Sequence, residues 1–159
     1  MPNPYTFATL KKNFPAEESD TFFKDMGWDK LIGDANYENT CAMRVSVCLI
    51  RCGMTFPTGE IKILKGTHKD KRVKIRWKEL EAVLAKEWGA PTSVSPTTDE
   101  ACKKYQGVIA FDKLPADDQG NQYPGHIDVL DGPNKKCLYN AFFGSDEIRI
   151  FEAKEEVKK

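Results

Sequence analysis

The apolar residues of this chain change their period at Pro96. Before it they recur at threes and fours, the spacing of helices that bury one face; after it they fall into short β-prone runs separated by turn residues. Segregation of this kind argues for an α+β domain in which N-terminal helices pack on a C-terminal antiparallel sheet. Two helices are marked most clearly. NTCAMRVSVCLIRCG opens with Asn39 or Thr40 as cap, closes with Gly53, and brings Met43, Val47, Ile50 and Met54 to one side. WKELEAVLAKEWG, from Trp77, aligns Leu80, Val83, Leu84 and Trp88 before Gly89 and Pro91 stop it.

Upstream, Asn3 before Pro4 reads as a cap for a short helix carrying Phe7, Leu10 and Phe14 and ending near Pro15. Residues 19–32 read as a second helix, or helical turns, broken at Gly27 and ended by Gly33. IKILKGTHKDKRVKI, residues 61–75, alternates weakly and reads as two short strands or an exposed loop. Beyond Pro96, residues 107–111, 126–130, 137–143 and 147–153 read as the strands of the sheet, and the tail KEEVKK is expected to fray. With 159 residues and no repeat, low-complexity linker or domain boundary, residues 1–159 read as a single domain.

Composition removes several classes of function. Apolar residues make up 40% and charged residues 30%, too apolar for a disordered tail and too charged for a membrane span. Lys plus Arg and Asp plus Glu both number 24, so no global basic field attracts nucleic acid. Charge is concentrated only locally: between Lys62 and Lys78 stand eight basic residues against Asp70, a patch that would attract an anionic cell wall or simply solvate a hairpin. The start, MPNPYTFATLKKNF, has no apolar core of a Sec signal peptide, so neither that route nor membrane insertion is expected.

The five cysteines, at 41, 48, 52, 102 and 137, form no C-x-x-C pair and no Cys/His spacing of a zinc site, and neither metal nor organic cofactor is expected. An odd count leaves one thiol free. Cys41 stands at the start of a helix, where unpaired amides and the helix dipole favour a thiolate. Cys48 and Cys52, later on the same helix, read as small core residues, and Cys102 with Cys137 is the pair to bridge in an oxidising compartment. Of the two histidines, His68 lies in the basic run and reads as surface, whereas His126 opens the strand HIDVL behind Pro124 and Gly125. A thiol at a helix start and an imidazole far downstream at a strand start is the layout of papain-like peptidases.

The two segments also resemble one family. YENTCAMRVSVCLIRCG is similar to the nucleophile segment of the type VI secretion amidase effectors of the fourth family, an aromatic followed by N-x-C-x-I-R-x-S, matched by Asn39, Cys41, Arg44 and Ser46. PGHIDVLDG resembles that family's G-H-[IV]-x-L-W-[ND]-G, with Val129 and Leu130 replacing Leu-Trp, and EIRIFEA resembles its closing strand. The resemblance implies an NlpC/P60-like papain fold and an endopeptidase that cuts peptidoglycan stem peptides between D-glutamate and meso-diaminopimelate. It further implies an antibacterial toxin made in the bacterial cytoplasm, delivered by the type VI apparatus into a target cell's periplasm, with a cognate immunity protein protecting the producer.

One departure bears on the site. The family often carries its third, acidic residue in a C-x-D-x-C stretch about eleven positions after the histidine, where this chain has KKCLYNA. Asp128 shares a strand face with His126 and is the favoured third residue; Asn140, on the next strand of the hairpin, is the alternative. The Cys41 amide is expected to be free as an oxyanion donor, Asn39 to cap the helix or add a second donor, and Arg44 to bind a stem-peptide carboxylate or pair with an internal acid. Cys41 as nucleophile, His126 as base and Asp128 as its partner describe a thiol amidase. Loss of the family's aspartate instead favours a noncatalytic cell-wall or protein-binding module on a degenerate scaffold. A cysteine peptidase acting on proteins would use the same Cys and His.

Overall fold

The computed structural model describes residues 2–156. Helix α1 (Phe7–Asn13) is capped by Thr6, whose Oγ1 accepts from the Thr9 amide at 3.2 Å, not by Asn3. Asn3 is buried at the other end of the chain's path: its Nδ2 donates to the Phe151 carbonyl at 3.3 Å and its Oδ1 accepts from the Tyr5 amide at 3.0 Å. A buried carboxamide must satisfy both its ends, and here a distant strand supplies one partner that a local cap pattern does not reveal. The same region ties down part of the tail. The Lys154 amide donates to the Tyr5 carbonyl and the Glu156 carboxylate accepts from the Ala8 amide, while residues 157–159 lie outside the described residues.

Helix α2 (Ser19–Met26) stops at Gly27 and is followed by a 3-10 turn, Asp29–Leu31, before Gly33. Helix α3 (Cys41–Cys52) ends in a left-handed cap at Gly53, whose φ of 113° suits glycine and whose amide reaches the Ile50 and Leu49 carbonyls. Every residue of α3 from Cys41 to Ile50 is buried. A helix enclosed on all sides should be apolar on all sides, so its polar exceptions need partners. Ser46 Oγ exchanges hydrogen bonds with the Lys74 amide and carbonyl, and Cys48 Sγ lies 3.3 Å from the Leu10 carbonyl of α1.

The basic run forms a hairpin of β1 (Ile61–Lys62) and β2 (Arg72–Val73), with Ile61 opposite Val73. Helix α4 follows over Trp77–Trp88. Strand β3 (Thr92–Val94) and the single turn α5 (Asp99–Cys102) precede β4 (Gln106–Asp112), β5 (Gly125–Asp131), β6 (Lys136–Cys137) and β7 (Glu147–Glu152). The five strands from β3 onward form an antiparallel sheet in the order β3-β7-β4-β5-β6. The expected α+β arrangement, helices first and antiparallel sheet last, is the observed one. The run 137–143 is not a strand, however: Lys136 and Cys137 pair with β5, the Leu138 amide adds one bond to the Val129 carbonyl, and the pairing stops there.

Alternation along the strands divides the core. Val108, Ile127, Val129 and Phe151 join the helices α1 to α4, whereas Ile109, Phe111, Leu130, Ile148 and Ile150 form a second cluster with Val94, Cys102 and Cys137. Burial of both faces leaves β5 with no exposed residue. All five cysteines are free, including Cys102 and Cys137, which share the second cluster as thiols. Arg149 staples α4 to the sheet, forking onto Glu81 at 2.7 and 2.8 Å and reaching Asp112 at 2.9 Å.

Gly125 opens β5 directly beneath the indole of Trp77, so a Cβ at this position would overlap the ring. Gly125→Ala is therefore expected to lower stability by about 1–3 kcal/mol. The measurement is urea denaturation, where an unchanged midpoint would show that the indole yields without cost.

Candidate active site

The pleat of β5 sets His126 and Asp128 on one face, and the two side chains lean together until His126 Nε2 and Asp128 Oδ2 are 2.7 Å apart. Asp128 is wholly buried. Its other partners are backbone amides: Val129 at 2.7 Å and Tyr139 at 3.2 Å on Oδ1, and Asn140 at 2.9 Å on Oδ2. A buried carboxylate is stable only when such donors surround it. This demand accounts for the early end of β6, because Tyr139 and Asn140 turn their amides away from a ladder and onto Asp128. Asn140 thus contributes its backbone; its side chain makes no hydrogen bond to His126.

With Nε2 engaged, Nδ1 of His126 is left for Cys41, which opens α3 and stands close enough to the imidazole to raise its proton affinity. The structure therefore brings Cys41, His126 and Asp128 together. The ring is packed by Phe142 and Phe111, with centroids 4.9 and 6.0 Å away. Burial pulls the imidazole pKa down, but the hydrogen bond that it donates to Asp128 and the influence of Cys41 outweigh this and raise the value from 6.5 to about 9.

The Cys41 amide is not free as expected: it donates to Asn39 Oδ1 at 3.2 Å, while the Thr40 side chain makes no cap bond. Asn39 therefore closes the helix start from one residue earlier than the formal cap. Arg44 fits neither expected role. It is buried, and its donors meet Thr40 Oγ1, the Pro15 and Glu17 carbonyls and Ser19 Oγ. Burial lowers its pKa, partly opposed by attraction to Tyr139, Glu17 and Asp128.

Beside the thiol and imidazole lies an open cleft of about 390 Å³, walled by Asn39, Thr40 and His126 with Tyr123, Tyr139 and Phe142. It opens where β6 leaves residues 125–128 of β5 without a strand partner on that side. None of residues 62–78, His68 included, lines this cleft. Among the described residues no group of three or more His, Cys, Asp or Glu is placed to hold a metal ion, and no helix is long and apolar enough to cross a membrane. Sequence reasoning missed Phe142 and Tyr123 as walls, and the clamp by the Tyr139 and Asn140 amides. The available signal was aromatic residues in turn-rich segments on either side of HIDVL.

The family model for type VI secretion system (T6SS) amidase effector protein 4, Tae4, matches residues 37–151, a span that contains Cys41, His126 and Asp128. The chain belongs to the Tae4 family. Membership makes it an amidase effector of type VI secretion. A solved Tae4 effector from Enterobacter cloacae has a TM-score of 0.77 at 20% identity, covering 96% of this chain and 99% of that one. The Tae4–Tai4 effector–immunity complex from Enterobacter cloacae gives 0.74 at 22% identity, covering 97% and 99%. The Tae4–Tai4 complex from Salmonella Typhimurium gives 0.75 at 16% identity, covering 96% and 100%. No curated protein matches the chain. At these identities the solved structures establish a shared fold.

Because His126 and His68 are the only histidines, the imidazole can be followed by NMR. Its titration is expected near pH 9, and Asp128→Asn is expected to move the midpoint down by removing a raising hydrogen bond. A pKa raised on folding means tighter proton binding in the folded state. The corresponding stabilisation, on the order of 3 kcal/mol for a rise from 6.5 to about 9, is complete below about pH 6.5 and lost as pH climbs through about 9. A wild-type midpoint at or below 6.5 would contradict this account.

Proposed function

We propose that the chain is a cysteine peptidoglycan amidase on an NlpC/P60-like papain scaffold, a DL-endopeptidase that cuts stem peptides between D-glutamate and meso-diaminopimelate. The observation that carries this reading is an imidazole held by a buried carboxylate, with the thiol of a helix N-terminus beside it and raising its proton affinity. Cys41 is the nucleophile, His126 the proton carrier and Asp128 its partner.

In this mechanism the proton is held on His126 and the Cys41 thiolate adds to the γ-D-glutamyl carbonyl, forming the S–C bond and an oxyanion. Asn39 lines the cleft, and its carboxamide keeps Nδ2 for that oxygen while Oδ1 holds the Cys41 amide. Collapse breaks the C–N bond as His126 returns its proton to the departing amine. Water activated by His126 then splits the thioester, releasing the D-glutamate carboxylate and restoring the thiol.

The same reading includes the route: synthesis in the bacterial cytoplasm, delivery by the type VI apparatus to a target periplasm, and a cognate immunity protein in the producer. Two solved relatives, from Enterobacter cloacae and Salmonella Typhimurium, are effector–immunity complexes, which supports such a partner here.

Digestion of purified sacculi followed by mass analysis of the released muropeptides tests the reading. New amino termini at diaminopimelate are expected, with no release by folded Cys41→Ala, and a loss of ~10²- to 10⁴-fold for His126→Ala or Asp128→Ala. Binding to sacculi without release would instead indicate a noncatalytic module. Cleavage of proteins but not of sacculi would indicate a protein-directed cysteine peptidase.

A further inference from the structure

A guanidinium taken out of water is costly unless a carboxylate answers it. Arg44 is 0% exposed, yet no carboxylate among the described residues lies within 4.0 Å of it. Glu17 attracts it only at longer range, with Oε1 buried and without a partner of its own. If packing were the whole of its role, a methionine of similar reach would fill the site without the desolvation cost.

The guanidinium connects three pieces of chain around the site. Nε donates to Thr40 Oγ1 at 2.8 Å, on the residue preceding Cys41. Nη1 donates to the Pro15 and Glu17 carbonyls at 2.8 and 2.6 Å, and Nη2 to Ser19 Oγ at 3.2 Å. The guanidinium carbon lies 4.2 Å from the ring centroid of Tyr139 and 4.8 Å from that of Phe22. Tyr139 is 43% exposed at the cleft, so it has little packing of its own, and its amide is one of the donors on Asp128. Planarity matters here, since only a flat fork can stack on a ring while donating in its own plane.

We propose that Arg44 is a positioning residue: by gripping the Thr40 hydroxyl and the Tyr139 ring on one plane, it fixes the turn that presents Cys41 relative to the amide clamp on Asp128. This inference rests on the assignment of Cys41, His126 and Asp128 as the reacting groups. Loosening of the grip displaces the thiol and the imidazole's partner independently, which harms the reaction more than substrate binding.

The test compares wild type with Arg44→Met and Arg44→Lys for kcat and KM on a purified muropeptide. In parallel, the pH profile of Cys41 alkylation by iodoacetamide is read by peptide mass mapping. Folded Arg44→Met is expected to lose ~10- to 100-fold in kcat with KM changed little, and to shift the alkylation profile; Arg44→Lys, with charge but no fork, should recover only part of the loss. Wild-type kcat and an unshifted profile in folded Arg44→Met would overturn the proposal. Should that variant not fold, Thr40→Val and Tyr139→Leu each remove one contact, the first without loss of a helix cap bond. Each is expected to lower kcat and shift the profile, and a normal profile in both would equally overturn it. If wild type releases no muropeptide, the amidase reading fails, while the alkylation profiles still decide the role of Arg44.

Discussion

A carboxylate shut away from water survives only where donors surround it, and that condition at Asp128 shapes the functional end of this molecule. Val129 supplies one donor from the same strand, and His126 supplies another from two residues back. The remaining two come from Tyr139 and Asn140, whose chain must abandon strand geometry to deliver them. An edge strand is lost in consequence. With β6 confined to Lys136–Cys137, the beginning of β5 is left unpaired on one side, and the cleft forms there. The interaction that orients the imidazole thus also creates the access route to it.

Two arginines show opposite solutions to the burial of a cation. Arg149 keeps some solvent contact and is bound by Glu81, Asp112 and Glu147, and the hydrogen bonds that it donates to Glu81 raise its pKa. It stabilises the charge by pairing, and the product is a joint between α4 and the sheet. Arg44 has no such partners and is lowered by burial. Its donors meet carbonyls and hydroxyls of a loop and a helix start, groups that lack partners in regular structure. Arg149 is thereby a stability element, whereas Arg44 carries a desolvation cost beside the start of α3 and the clamp on Asp128.

Much of this was legible in the sequence where a pattern persisted over several turns or several strand residues. Helices α3 and α4 and strands β4, β5 and β7 each carry enough repeats of one period to identify them. Cys41 and His126 stood out because few residues compete for their roles and each begins an element. Asp128 followed from the period of two. What escaped reading depends on distant partners. CLYNAFF has the composition of a strand, but its amides are claimed by Asp128 and its Phe142 by the imidazole. Asn3 resembles a cap until Phe151 is seen beside it, and β3 and α5 are too short to carry a period. An arginine beside a candidate nucleophile calls for a carboxylate, on a substrate or inside the protein, and nothing local announces that Arg44 is buried against carbonyls and hydroxyls instead.

The electrostatics of His126 change during the reaction in the direction that the proposed mechanism requires. Before attack, the ring is held at high proton affinity by Asp128 and by Cys41 together, against the pull of burial. That condition favours transfer of the thiol proton to the imidazole, with the dipole of α3 supporting negative charge on sulfur. Once sulfur is bonded to the carbonyl carbon it carries no charge, and the contribution of Cys41 disappears. Burial by Phe142 and Phe111 then faces Asp128 alone, and the imidazolium becomes a stronger acid. It does so at the step where the departing amine needs a proton. A solvated histidine would show a smaller change, because water would already screen the sulfur's charge before attack. Enclosure of the ring opposes the high pKa of the resting site, yet it is also what makes that pKa respond to the state of the sulfur.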